Sequence, residues 1–210
     1  MSTRRKVQSS IPLGFAWLLV ITMLATLPAC SEPGPIKIGF AGELTGRLSD
    51  LGVSARNGAV LAVEECNAAG GIDGRLLELL IRDDRQDPER AREIDRELIE
   101  LDVAAIIGHM TTGMTTAALP VVNEAGVLMI SPTTSSNDLT GIDDSFIRLI
   151  PAQRMLNIRH AEYARNTLAL EEIVIVYDIS NRSFSESVVR IFSDRFEELG
   201  GLLTAPVAFA

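Results

Sequence analysis

Residues Val103 to Ser136 read VAAIIGHMTTGMTTAALPVVNEAGVLMISPTTSS. Val103 to Ile107 (VAAII) is a short unbroken apolar run, as expected of a strand buried on both faces. Thr112 to Ala125 predicts a helix, and Val127 to Ser131 (VLMIS) predicts a second strand of the same kind. Buried strands alternating with helices indicate a parallel sheet covered on both sides.

Working outward, the same alternation continues. Upstream, Ile36 to Ala41 (IKIGFA) predicts a first strand, followed by a glycine-punctuated loop from Gly42 to Gly52. Val53 to Ala69 predicts a helix stopped by Gly70-Gly71, and Leu76 to Arg82 a second strand. Asp87-Pro88 then starts a helix, with aspartate as N-cap and proline in the first turn. That helix runs to about Leu101, with Ala91, Ile94, Leu98 and Leu101 on one face. Its solvated face offers opposite-charge pairs such as Glu93–Arg96 and Arg96–Glu100. Downstream, Ile173 to Tyr177 and Phe184 to Leu199 repeat strand and helix, with Val188, Phe192, Phe196 and Leu199 sharing a face. Pro132 to Pro151 lacks a clear helix and marks a change of lobe. Leu202 to Ala210 begins one more strand, so the chain reads as the amino-terminal part of a longer protein. The fold class is α/β, with doubly wound parallel sheets in two lobes. Residues 36–150 form most of the first lobe, and 151–210 start the second.

Composition removes several function classes. The 210 residues carry 19 Lys and Arg against 28 Asp and Glu, a net charge of −9. A nucleic-acid binder needs a basic face for phosphates, and an anionic lipid surface needs one too. With 47% hydrophobic residues the chain is not intrinsically disordered. Cys30 and Cys66 are too few for a disulfide scaffold or a thiolate zinc cluster. The start is an address. Arg4, Arg5 and Lys6 precede an uncharged stretch that lasts until Glu32 and contains the apolar core Phe15 to Leu27 (FAWLLVITMLATL). A membrane-spanning helix needs about 20 such residues, so residues 1–29 predict a signal peptide. It ends in Leu27-Pro28-Ala29-Cys30, which resembles a bacterial lipobox and makes Cys30 the candidate lipid attachment site. Residues 30–35 follow as a tether. Cys66, at helical spacing with Ala55, Ala59 and Ala62, is expected to be a buried small hydrophobe.

Catalytic signatures are missing. There is no G-x-x-x-x-G-K-[ST], no G-x-S-x-G and no H-E-x-x-H. Asp83, Asp84 and Asp87 read as a strand end and a helix cap rather than a cation site. Two hydroxyl-rich segments stand out: Gly108-His109-Met110-Thr111-Thr112, which follows the third strand and opens a helix, and Ser131 to Ser136 after the fourth. Both lie at carboxyl ends of parallel strands, where open α/β sheets bind ligands. Hydroxyls and helix-start N–H groups suit a carboxylate, and hydroxyls can also accept from an ammonium. Helix capping and Ser/Thr turns account for the same residues equally well on chemistry alone.

Ile36-Lys37-Ile38-Gly39 runs into Gly42-x-x-x-Gly46, and Asn67-Ala68-x-Gly70-Gly71-Ile72-x-Gly74 follows. Asp83-Asp84-x-x-Asp87-Pro88, Ile107-Gly108-His109, Leu128-Met129-Ile130-Ser131-Pro132 and Phe146-x-Arg148 complete an ordered set. The set resembles the branched-chain amino-acid-binding (Leu/Ile/Val-binding-protein-like) family of periplasmic substrate-binding proteins, type 1 fold. The resemblance implies a binding protein, not an enzyme, with no cofactor and no metal. It implies an exported, lipid-anchored receptor of the cell envelope that takes up a small ligand by closing two lobes and docks on the membrane permease of an ABC importer. The ligand implied is an amino acid or a related small carboxylate or amide. The alternative is the ligand-sensing ectodomain of a signalling receptor. Thr112 corresponds to a carboxylate-binding hydroxyl, Thr133 and Ser135 to ligand contacts, and Phe184 to an aromatic of the second lobe. Leu51 stands where amino-acid binders often place a tyrosine. Relatives with a disulfide join the positions of Gln86 and Thr111, neither of which is cysteine here.

Overall fold

The structure is a computed structural model that describes residues 34–209. The expected leader, residues 1–29, and Cys30 lie outside the described residues. Five parallel strands form the first sheet: β1 (Ile36–Gly42), β2 (Leu77–Asp83), β3 (Ala105–Ile107), β4 (Leu128–Ser131) and β5 (Phe146–Arg148). Their order is β2-β1-β3-β4-β5. The order reverses beside β1, which makes the carboxyl edge next to it the switch point where such sheets open a crevice.

Three helices cover this sheet: α1 (Ser49–Ala68), α2 (Pro88–Glu100) and α3 (Thr112–Ala125). On one face, Ile94 and Leu98 of α2 and Ala118 and Val122 of α3 pack with Ile106 and Met129, all fully buried. Burying a side chain of the Ile or Leu class contributes roughly 1.5–3 kcal/mol. On the other face, Phe40 and Met110 pack against Ala55 and Ala59 of α1. The caps are local chemistry. The Asp87 carboxylate accepts from the N–H groups of Glu89 (2.8 Å) and Arg90 (3.2 Å), and Gly126 ends α3 in the left-handed region at φ 66°. Asn67 explains its own motif: its side-chain amide donates to the carbonyl of Leu77 and accepts from the Leu77 N–H, tying the end of α1 to β2.

Beyond Pro151 come α4 (Arg154–Glu162), a π-helical turn (Tyr163–Thr167), β6 (Glu172–Asp178), α5 (Arg182–Glu198) and β7 (Leu202–Phe209). β6 and β7 pair in parallel as a separate two-stranded sheet. Ala161, Ala164 and Phe196 bury its inner face with Ile173 and Leu203. No described helix is long and apolar enough to cross a membrane.

Several expectations need correction. α1 starts at Ser49 rather than Val53, so Leu51 lies in its first turn and not in a loop. Pro132 to Pro151 contains a 3-10 turn (Asn137–Leu139) and the edge strand β5. On α2 the ion pairs are Arg90 with Glu93 and Glu97, Arg92 with Glu89, and Arg82 of β2 with Glu97, rather than those drawn for Arg96. Cys66 is half-buried, because its stretch of α1 carries mostly exposed neighbours.

Candidate functional site

A cleft of about 550 Å³ opens where the carboxyl ends of β3 and β4 face the turn after β6. Leu48, Leu51, Met110, Pro132, Ile150 and Phe184 form its apolar wall. The structure brings all five sequence-predicted residues together here. Thr112 opens α3, Thr133 and Ser135 follow β4, Leu51 comes from α1, and Phe184 from the first turn of α5.

The hydroxyls lining the cleft differ in what they do. Thr111 exchanges hydrogen bonds with the Gln86 side chain, at 3.1 and 3.2 Å. This polar contact holds the β2–α2 turn to the start of α3. Thr133 donates to the Met110 carbonyl at 2.6 Å. Ser185 donates to the carbonyls of Asp178 and Asn181. Ser180 accepts from Arg47. Thr112 and Ser135 are each only 3% exposed, and neither hydroxyl has a hydrogen-bond partner among the described residues. Beside them lies the amino terminus of α3, whose first N–H groups have no intrahelical acceptor. The Gly113 N–H points to the Asn181 side-chain oxygen at 3.4 Å.

Beneath this surface sits a group that sequence reasoning missed. His109 is fully buried between Asp84 and Asp95, with Nδ1 2.8 Å from Asp84 Oδ2 and Nε2 3.3 Å from Asp95 Oδ1. Burial alone would strip the imidazole of its proton. Hydrogen bonds and charge from the two carboxylates outweigh that and raise its pKa from 6.5 to about 9. His109 is therefore cationic at neutral pH, with both ring nitrogens donating. Its carbonyl oxygen accepts from the hydroxyls of Ser131 (2.6 Å), Thr115 (3.3 Å) and Thr134 (3.3 Å). The segment leading into Thr112 is thus pinned by its imidazole on one side and its carbonyl on the other. Among the described residues no three His, Cys, Asp or Glu side chains gather as a metal cage.

The family model described as "Periplasmic binding protein" matches residues 35–210. The chain belongs to the periplasmic binding protein family. Within it, the relatives are those that the motifs point to, the branched-chain amino-acid-binding proteins of type 1 fold. The Leucine-, isoleucine-, valine-, threonine-, and alanine-binding protein of Pseudomonas aeruginosa is 36% identical over 50% of this chain and 28% of its own length. The Leu/Ile/Val-binding protein of Escherichia coli K12 is 28% identical over 76% of this chain and 43% of its own. The substrate-binding protein LivJ of a branched-chain amino acid transporter from Streptococcus pneumoniae, solved with isoleucine, superposes with a TM-score of 0.75. It is 29% identical, over 84% of this chain and 50% of that one. This periplasmic binding protein chain therefore spans half or less of the length of these relatives. The relatives are binding proteins rather than enzymes, and the family implies an exported, periplasmic location.

Proposed function

We propose that this chain belongs to a solute-binding lipoprotein of an ABC-type importer, which closes two lobes around a small carboxylate ligand. The ligand class is an amino acid or a close carboxylate or amide relative. Residues 36–150 serve as one lobe, and residues from 151 onward contribute to the other. The observation that carries this reading is the pair of unpartnered hydroxyls, Thr112 and Ser135, beside the start of α3. Every other cleft hydroxyl is engaged, whereas these two present donors next to a helix-start partial charge. Thr133 adds backbone contacts, while Leu51 and Phe184 face an apolar side chain. The binding of branched-chain amino acids by the relatives fits such a cleft. The closed form then docks on a membrane permease.

The test starts with a thermal-shift screen of amino acids, amides and small carboxylates on the whole protein, because a ligand of the native state raises its melting temperature. Calorimetry on Thr112→Val follows with the best compound. A hydrogen bond to a charged group contributes roughly 1.5–3 kcal/mol, so affinity should fall about 10- to 150-fold. Unchanged affinity in that variant would sink the site assignment.

The anchor is tested separately. Cys30→Ser should abolish fatty-acid labelling and shift the protein from the membrane to the soluble fraction. Labelling that persists in the serine variant rules out Cys30 as the acylated residue.

A further inference from the structure

The loop between β1 and α1 does more than connect them. Asp83 Oδ1 accepts from the Leu44 N–H at 2.8 Å, and Asp83 Oδ2 from the Thr45 hydroxyl at 2.6 Å. From the other side, the carboxylate of buried Glu43 accepts from the Leu48 N–H at 3.2 Å. Two carboxylates therefore brace residues 43–48 through three hydrogen bonds. Arg47 lies inside this braced segment, and its guanidinium reaches the turn after β6. It makes an ion pair with Asp178 at 2.6 Å and donates to the Ser180 hydroxyl. The same turn makes a second attachment to the first lobe, where Asn181 Oδ1 accepts from the Gly113 N–H. Asp178 is held ready for this role. The N–H and hydroxyl of Ser180, together with Arg47, keep its carboxyl below the usual range. Asp178, Ser180 and Asn181 all line the cleft.

We infer that Arg47 is a charged clasp that holds the turn Asp178–Asn181 over the cleft and biases the two lobes toward the closed state. The inference rests on the two-lobe reading proposed above. The geometry gives the clasp one stiff jaw, braced by Asp83 and Glu43, and one arm that moves with β6. The pair is partly exposed, with side-chain exposures of 54% and 32%. Such pairs have modest strength and weaken with salt, so the clasp adjusts a population and does not lock it.

The whole protein, with Cys30 and Cys66 replaced by serine, can carry spin labels at cysteines introduced for exposed Glu124 on α3 and Glu197 on α5. Distance distributions recorded without ligand report the ratio of closed to open molecules. Arg47→Ala should lower that ratio about two- to fivefold. Molar salt should lower the ratio in the parent and lower it less in the variant, which keeps a second exposed pair between the same parts, Arg190 of α5 with Asp138 at 3.1 Å. Exchanging the charges, Arg47→Asp with Asp178→Arg, should restore the closed fraction. An unchanged ratio in Arg47→Ala, or a salt response of the parent's size persisting in that variant, overturns the clasp. L-Leucine added to each sample reports separately on the ligand reading. If leucine and the other screened compounds fail to shift the parent, the proposed ligand class is wrong, while the ligand-free comparison still decides the clasp.

Discussion

Replacing His109 by leucine is expected to lower the unfolding free energy by about 3–5 kcal/mol, because it leaves Asp84 and Asp95 buried without a cation between them. All three side chains are at most 1% exposed, so water cannot take over the role of the imidazole. The pH dependence gives a second signature. A folded-state pKa raised from 6.5 to about 9 means that the native protein holds a proton which the unfolded chain releases. The stability this provides is fully present below about pH 6.5 and is lost as pH rises through about 9. Over that window the parent should lose about 3 kcal/mol from this group. Denaturant melts of the parent and the leucine variant, each at pH 6 and pH 9, measure both effects. A leucine variant as stable as the parent, or one that keeps the parent's alkaline loss, would show that His109 is not the cation of this cluster.

Gly52→Ala should cost more than about 3 kcal/mol, the range reached only by a steric conflict or a comparable named defect. A Cβ at Gly52 would sit 1.8 Å from the Glu43 carbonyl oxygen and 2.7 Å from its carbon. Those are backbone atoms of the braced loop, so no rotamer change can relieve the contact. Gly58, further along α1, is the internal control, since a Cβ there meets nothing within 4 Å. Gly58→Ala should stabilise slightly, by about 0.4–1 kcal/mol, through the unfolded chain. Equal stabilities of the two alanine variants in a denaturant titration would contradict the close packing of α1 on Glu43.

The βαβ repeat was readable because buried parallel strands are unbroken apolar runs and because Asp87-Pro88 caps α2 from within its own sequence. Other elements lack such local marks. α1 begins at Ser49 without a side-chain cap, so its first turn looks like loop. β5 is three residues at a sheet edge. α4 buries only Asn157 and Ala161 and so shows no apolar stripe. The His109 cluster joins residues from three elements, and nothing in the spacing of Asp84, Asp95 and His109 advertises their meeting. The hydroxyl-rich segments were visible as a candidate site. What could not be read there was which hydroxyls are spent on the backbone: Ser131, Thr133 and Thr134 hold carbonyls of His109 and Met110, while Thr112 and Ser135 hold nothing described.

The hydroxyls at the mouth of α3 carry no formal charge, and this bears on kinetics. On the reading proposed above, an anion is captured by neutral donors, so no counterions need be expelled and no receptor group titrates as it arrives. For a zwitterionic amino acid the encounter rate should be nearly flat in ionic strength, because a solute without net charge is neither steered nor repelled by the protein's net charge of −9. Retention is different, since on the clasp inference it draws on the Arg47–Asp178 pair. Raising salt should then shorten the residence time of the ligand while leaving its arrival rate almost untouched. A protein built this way would load at a rate set by solute concentration and unload at a rate that its ionic surroundings adjust.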